Sequence, residues 1–406
     1  MSPGEHLAPL LHAVIPRSNF NSKGPVPVGS LGGVGPYGTF DMGGNVREWA
    51  WNKAGKNRWI LGGSWDQPIH MYTVSNNAPP TDRSPTNGFR CAIYKDAQVP
   101  EPLTSPVELR VVDYRTAPAV SDEVFRLFKQ RFSYDQTPLN ARVEATDQSP
   151  PDWNTEKVTF DAGYGGERVI LYLTLPKHGV TPYQVVVAFP GLGPFQNRGG
   201  IVPYDTNDFI VKSGRAVVQP VFKGSYERWD GLMGLVGEEY QRTFRERVVQ
   251  WYQDLGRTLD YLSTRPEFDS ARVAFTGLSF GASIPLPLLA VEPRVKAAVL
   301  MSAGFSELRL PPEADPINYV SHITIPIVMV GGRYDYVLPL ETAQRPLFER
   351  FGTRPSDKRH AILEAGHTPL PRSDLVRETL EWLDRYLGPI TSSRSVPAST
   401  PETSRR

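Results

Sequence analysis

Between about residue 107 and residue 388, two patterns alternate that only a covered sheet can satisfy together. Short, apolar, β-branched runs occupy residues 184–189, 215–219, 272–276, 297–301 and 325–330. Runs of that length and composition suit strands buried on both faces. Residues 168–175 instead alternate, as a half-exposed strand does. Helical periodicity lies between the runs. Phe244, Val248, Trp251, Leu255, Leu259 and Leu262 follow steps of 4, 3, 4, 4 and 3, which makes one apolar stripe. Val376, Leu380, Leu383 and Leu387 repeat the pattern near the end. Strands alternating with amphipathic helices predict an α/β architecture, a mostly parallel central sheet covered on both faces.

The flanks read differently. Residues 1–97 are rich in Gly, Asn, Trp and Pro and lack helical periodicity, so a separate, irregular N-terminal fragment is expected. Residues 98–106 read as a Pro-rich linker, residues 107–388 as the α/β domain, and residues 389–406 as a disordered Ser/Thr/Pro/Arg tail. The single cysteine, Cys91, excludes an intrachain disulfide framework and a thiolate metal cage. A formal net charge of +1 gives no global field for nucleic acid or an anionic membrane. The apolar runs are strand-sized, so no transmembrane helix is expected. The start lacks a basic segment ahead of its apolar patch, so no signal peptide is read and a cytoplasmic location is expected. Nothing in the sequence specifies an oligomeric state.

Chemistry concentrates in Gly277-Leu278-Ser279-Phe280-Gly281, which follows a strand-like run and precedes a small, apolar stretch. A G-x-S-x-G between strand and helix is the nucleophile-elbow pattern. A serine hydroxyl there needs a base, and the base needs an orienting acid. They are expected later in the chain in the order Ser, Asp or Glu, His. Residues 325–335 run from a strand through Gly331-Gly332 to Asp335, and Gly366-His367 follows a later strand. Ser279 is therefore assigned as nucleophile, His367 as general base and acid, and Asp335 as its orienting partner. The oxyanion donors are expected to be the N–H of Phe280 and, from Phe189-Pro190-Gly191-Leu192-Gly193-Pro194, that of Leu192, with Gly191 or Gly193 as alternatives. Each such donor is worth about 3 kcal/mol in the transition state.

Competing readings exist. Asp335 is also a plausible turn residue. Asp315 precedes the expected strand, His360 lies within a strand-like run, and His322 falls at the wrong end of its strand. Pro285 and Pro287 should kink or shorten the helix after Ser279. Residues 195–240 hold Phe195, Tyr204, Phe222, Tyr226 and Trp229 among glycines. They suit an aromatic wall over an acyl pocket or ordinary loop packing equally.

Residues 107–388 resemble the α/β-hydrolase superfamily, nearest to its dienelactone hydrolase and acetyl xylan esterase-like branch. The residues that carry the likeness are Phe189 to Gly193, Gly277 to Gly281, Gly332 to Asp335, and Gly366-His367. The resemblance implies a serine carboxylesterase that hydrolyses small or short-chain esters through an acyl-enzyme, with no cofactor required for catalysis. Dienelactone hydrolases proper use cysteine where Ser279 stands, and the usual His-Gly of the oxyanion loop is Pro190-Gly191 here. The alternatives are an amidase or peptidase with the same triad, or a regulatory or binding module with a vestigial hydrolase.

Residues 30–95 resemble the C-terminal part of the formylglycine-generating enzyme (sulfatase-modifying factor) family. The likeness rests on Gly38-Thr39-Phe40-Asp41-Met42-Gly43-Gly44-Asn45-Val46-Arg47-Glu48-Trp49, on Leu61-Gly62-Gly63-Ser64-Trp65 and on Asn87-Gly88-Phe89-Arg90-Cys91-Ala92. It implies a C-type-lectin-like fold with little regular structure. The family's oxidases hold copper through two cysteines between the last two motifs, where this chain has none, so oxidase chemistry is excluded. The family's structural calcium site maps onto Asp41, Gly44, Val46 and Glu48; the bland alternative is a capped turn without metal. The stub before residue 30 is short for the family, so the fragment looks truncated. Bacterial proteins similar to this one join a kinase, such a domain and a hydrolase; nothing kinase-like is present. The tryptophans Trp49, Trp51, Trp59 and Trp65 are expected to form the fragment's own core.

Overall fold

The apolar runs pair into a nine-stranded sheet. The computed structural model describes residues 17–35, 38–67, 71–72, 76–94, 99, 101–107, 112–196, 198–199, 207–235, 237–306 and 310–390. Tyr204, Gln98 and Pro100 of the expected linker, and the expected tail beyond Ile390 lie outside these residues. The chain forms two compact units. The first comprises Met1–Asp113, Gly331–Thr342 and Ile362–Pro371, and the second Tyr114–Val330, Ala343–Ala361 and Arg372–Arg406.

Four short strands belong to the first unit: β1 (Arg47–Ala54), β2 (Asn57–Leu61), β3 (Asn76–Ala78) and β4 (Asn87–Gly88). They form a sheet in the order β3-β2-β1-β4, with β1 and β2 a hairpin and β4 parallel to β1. Polar side chains tie its loops. Asn45 accepts from Val26 N–H (2.9 Å) and Asn19 Nδ2 (3.1 Å) and donates to Val26 O (3.1 Å). The expected tryptophan core does not form. Trp51 is 70% exposed under the Arg58 guanidinium, and Trp59 spends its N–H on the Val107 carbonyl.

The large sheet contains β5 (Arg142–Asp147), β6 (Trp153–Asp161), β7 (Arg168–Pro176), β8 (Tyr183–Phe189), β9 (Ala216–Pro220), β10 (Phe268–Leu278), β11 (Val295–Met301), β12 (Ile327–Gly332) and β13 (Lys358–Leu363). Their order is β13-β12-β11-β10-β8-β9-β7-β6-β5. The β8/β9, β8/β10, β10/β11 and β11/β12 pairs are parallel, whereas β7 pairs antiparallel with both β9 and β6, and β6 with β5. The parallel strands are the apolar runs of the sequence, and they are buried on both faces. The edge strand β5 is exposed along its whole length and carries no apolar signal, so periodicity could not find it.

Helices α1 (Asp122–Lys129), α2 (Gly193–Gln196), α3 (Asp208–Lys212), α4 (Gly237–Ser263), α5 (Phe280–Ser283), α6 (Leu286–Val291), α7 (Arg345–Arg350) and α8 (Arg372–Leu387) are the described α-helices. All six stripe residues of α4 are buried. On α8 the buried face is Leu375, Thr379, Trp382, Leu383 and Leu387, so the stripe is rotated from the expected one and Val376 and Leu380 flank it. The prolines act as expected. α5 stops after one turn, and α6 restarts with Pro285 as its N-cap and Pro287 in its first turn. A missing proline N–H is harmless in that first turn, because it would have had no helical partner. Among the described residues, no helix is long and apolar enough to cross a membrane.

Candidate active site

Strand β10 delivers Ser279 onto a turn that other residue types would block. The Ser279 backbone sits at φ 53°, ψ −110°, a left-handed conformation costly for any residue with a Cβ. A Cβ on Gly277 would collide with the carbonyl of Gly281 across the turn. A Cβ on Gly281 would collide with the carbonyls of Phe189 and Pro190. The glycines of the motif are thus demanded by close backbone approach. Ser279 N–H donates to Met301 O (2.8 Å), and Ala282 N–H donates to Ser279 O (3.0 Å), so the elbow is anchored to β11 and to its own helix.

Asp335 and His367 are brought together. His367 Nδ1 lies 2.8 Å from Asp335 Oδ2, and the Asp335 side chain is fully buried. The other oxygen, Oδ1, accepts from the N–H groups of Val337 and Leu338, both at 2.9 Å. One oxygen thus serves the turn and the other faces His367, so the turn reading and the orienting reading of Asp335 are compatible. With Nδ1–H donating to the carboxylate, Nε2 is left as the basic nitrogen. The turns that carry the two residues are interlocked. Tyr334 N–H donates to Ala365 O (2.9 Å), and a Cβ on Gly332 would collide with the carbonyls of Ala365 and Gly366. That demand on Gly332 was missed by sequence reasoning, because the contact is made across strands.

The expected oxyanion loop lies against the elbow. Its Pro190 carbonyl faces Gly281, and a Cβ on Gly191 would sit 3.6 Å from Leu278 O. Phe195 N–H donates to Leu192 O (2.9 Å), which closes the first turn of α2. The Phe280 ring is held between Phe195 (centroids 5.0 Å apart) and Trp251 of α4 (5.9 Å). Of the aromatic residues expected to wall a pocket, Phe195 and Phe222 are fully buried, and Phe222 stacks on Phe189 at 4.1 Å. These two serve the core, so for them loop packing wins.

Known proteins share the fold of this larger part. The acetyl xylan esterase of Paenibacillus sp. R4 superposes with a TM-score of 0.51 at 19% identity, over 67% of this chain and 96% of that one. Acetyl xylan esterase 1 of Thermoanaerobacterium sp. JW/SL YS485 superposes with a TM-score of 0.53 at 16% identity, over 69% and 98%. The larger part of the chain has the α/β-hydrolase fold. Residues 2–95 match the family model of the sulfatase-modifying factor enzyme 1-like domain, so the match extends well before the motifs that begin at Gly38. The chain therefore joins a segment similar to that domain to a part with the α/β-hydrolase fold.

Within the α/β-hydrolase part, the competing residues have structural employment. Asp315 caps a single turn by accepting from Ile317 N–H (3.0 Å). His322 stacks on Phe125 with ring centroids 3.5 Å apart, and burial lowers its pKa. His360 on β13 lies 3.2 Å from Gln344 Oε1; burial, then nearby Arg345, push its pKa down to about 4. Such a histidine stays neutral where a catalytic one must exchange protons.

In the sulfatase-modifying-factor-like part, the two carboxylates mapped onto calcium, Asp41 and Glu48, take hydrogen bonds from protein donors. Both carboxylate oxygens of Glu48 take hydrogen bonds from Arg90, at 3.0 and 2.7 Å. Asp41 Oδ2 accepts from Gly29 N–H (2.6 Å), and Gly44 N–H donates to Gly62 O (2.7 Å), while Val46 sits just before β1. A guanidinium already neutralises Glu48, the one carboxylate on the strand, so as arranged that side chain is paired with Arg90. Among the described residues no group of three or more His, Cys, Asp or Glu side chains is placed to share a metal.

Proposed function

We propose that this chain is a serine carboxylesterase that hydrolyses small or short-chain acyl esters. The observation that carries the reading is the Ser279 backbone at φ 53° between two glycines whose Cβ positions are filled by carbonyls. A strained non-glycine residue on a turn built for glycine implies a use for its side chain. The buried Asp335 beside His367 supports the same reading, because it selects the tautomer in which Nε2 carries the basic lone pair.

The steps follow from these groups. Ser279 Oγ attacks the acyl carbon as its proton passes to His367 Nε2, and the carbonyl π pair moves onto oxygen. The N–H groups of Phe280 and Leu192 stabilise that oxyanion. Collapse breaks the bond to the alcohol, which leaves with the proton from His367. A water then attacks the acyl-enzyme by the same route, and the carboxylic acid departs. Asp335 holds the imidazolium throughout without taking its proton. These steps use side chains, backbone donors and water. Two proteins with the same fold are named for acetyl xylan, which supports a short acyl group.

Ser279→Ala should abolish turnover of p-nitrophenyl acetate and butyrate while the circular dichroism spectrum persists. Undiminished turnover would overturn the proposal. Comparison of an ester with its matched anilide separates an esterase from an amidase.

A further inference from the structure

A buried ionic cluster beside the sheet has no place in the steps above. Asp254 of α4 has a fully buried side chain and holds the segment that follows β9 through several bonds. Its Oδ2 accepts from Lys223 N–H (2.9 Å) and from Arg228 Nη1 (2.8 Å), and its Oδ1 accepts from Tyr164 Oη (2.9 Å). Arg228 also donates to Val221 O (2.9 Å). Arg247, again from α4, donates to both oxygens of Asp230 at 3.2 and 2.7 Å, and Trp251 Nε1–H donates to Lys223 O (2.9 Å). Residues 223–230 are thereby clamped to α4 at both ends.

Burying a carboxylate and a guanidinium costs desolvation that their attraction barely repays, so such a pair is weak evidence of a stabilising purpose. The clamp does have one outlet. Trp229, between Arg228 and Asp230, points its indole N–H at Phe195 O, 3.1 Å away. Phe195 N–H in turn donates to Leu192 O. The bonds therefore run from α4 through Trp229 into the turn that begins at Leu192, whose N–H is assigned to the oxyanion.

We infer that Trp229 is a positioning residue for the oxyanion hole, and that the buried Asp254–Arg228 pair is the anchor that aims it. The inference rests on the esterase reading and adds a specific cause for the placement of its second donor. Loss of the indole N–H frees the α2 turn to shift, and small displacements of a reacting group cost up to about a hundredfold in rate.

The test uses the full chain. Trp229→Phe keeps an aromatic ring and removes the N–H. Its kcat on p-nitrophenyl acetate should fall about 10- to 100-fold with KM within about twofold. Labelling by a fluorophosphonate should slow in parallel, because that tetrahedral adduct uses the same donors. A purely structural role would lower the melting temperature and leave both rates intact; wild-type kcat and labelling would overturn the inference. Should Trp229→Phe fail to fold, Asp230→Asn loosens the same segment more gently: a severalfold lower kcat at constant KM supports the inference, and an unchanged kcat overturns it. Ser279→Ala separates the two levels. If it labels as fast as wild type, the esterase reading fails; if it is inert while Trp229→Phe is normal, only the positioning role fails.

Discussion

Replacing Ser279 by glycine and, separately, by alanine measures the strain stored at the elbow. Both variants lose the hydroxyl, so they differ only in the Cβ and its effect on the backbone. At φ 53°, ψ −110°, a residue with a Cβ costs about 1–3 kcal/mol. Glycine relieves that cost, but its greater freedom in the unfolded chain returns about 0.4–1 kcal/mol. The net expectation is that Ser279→Gly is more stable than Ser279→Ala by about 0.5–2 kcal/mol. In a chain of this size that is a difference of about 0.6–2.4 °C in melting temperature. Paired thermal melts of the two variants in one buffer read it directly, and p-nitrophenyl butyrate turnover should be absent in both. If the glycine variant melts at or below the alanine variant, the elbow is not strained and the observation that carries the functional reading is lost.

Three further outcomes follow from the same geometry. Asp335→Asn can keep the bonds from Val337 and Leu338 but offers His367 an amide, so kcat/KM should fall by about 10³–10⁴-fold with little change in melting temperature; kinetics within tenfold of wild type would refute the assigned role. Gly281→Ala puts a methyl group against the Phe189 and Pro190 carbonyls, which as backbone cannot swing away, so a loss of about 1–3 kcal/mol is expected, and an unperturbed denaturant midpoint would refute it. His360 binds its proton near pH 4 when folded and near pH 6.5 when unfolded, so the unfolded state takes up more protons between these values. Stability should therefore be full above pH 6.5 and fall by about 2–3 kcal/mol as pH drops to 4. His360→Gln should flatten that slope in urea titrations, and an unchanged slope would assign it to other groups.

The legible parts of this protein were those encoded locally. Each buried parallel strand is a short apolar run, and the stripe on α4 repeats every three or four residues, so both were visible without coordinates. The break at Pro285 was legible because a missing N–H acts within one turn. Strand β5 was not, because an exposed edge strand needs no apolar residues. The tryptophans of the N-terminal fragment misled for a related reason: their composition implies burial, but Trp51 finds its partner in the Arg58 guanidinium at the surface.

The sequence alone determined the fold class, the elbow motif and the order of Ser279, Asp335 and His367, since these depend on periodicity and on chemistry at fixed positions along the chain. The tertiary structure decided what each residue does with its atoms. It divided the two oxygens of Asp335 between a turn and a histidine, paired Glu48 with Arg90, and filled the Cβ positions of Gly281 and Gly332 with carbonyls from remote segments. Those outcomes depend on hydrogen-bond partners and close contacts supplied by segments remote in the chain, and no local pattern can specify which distant group arrives.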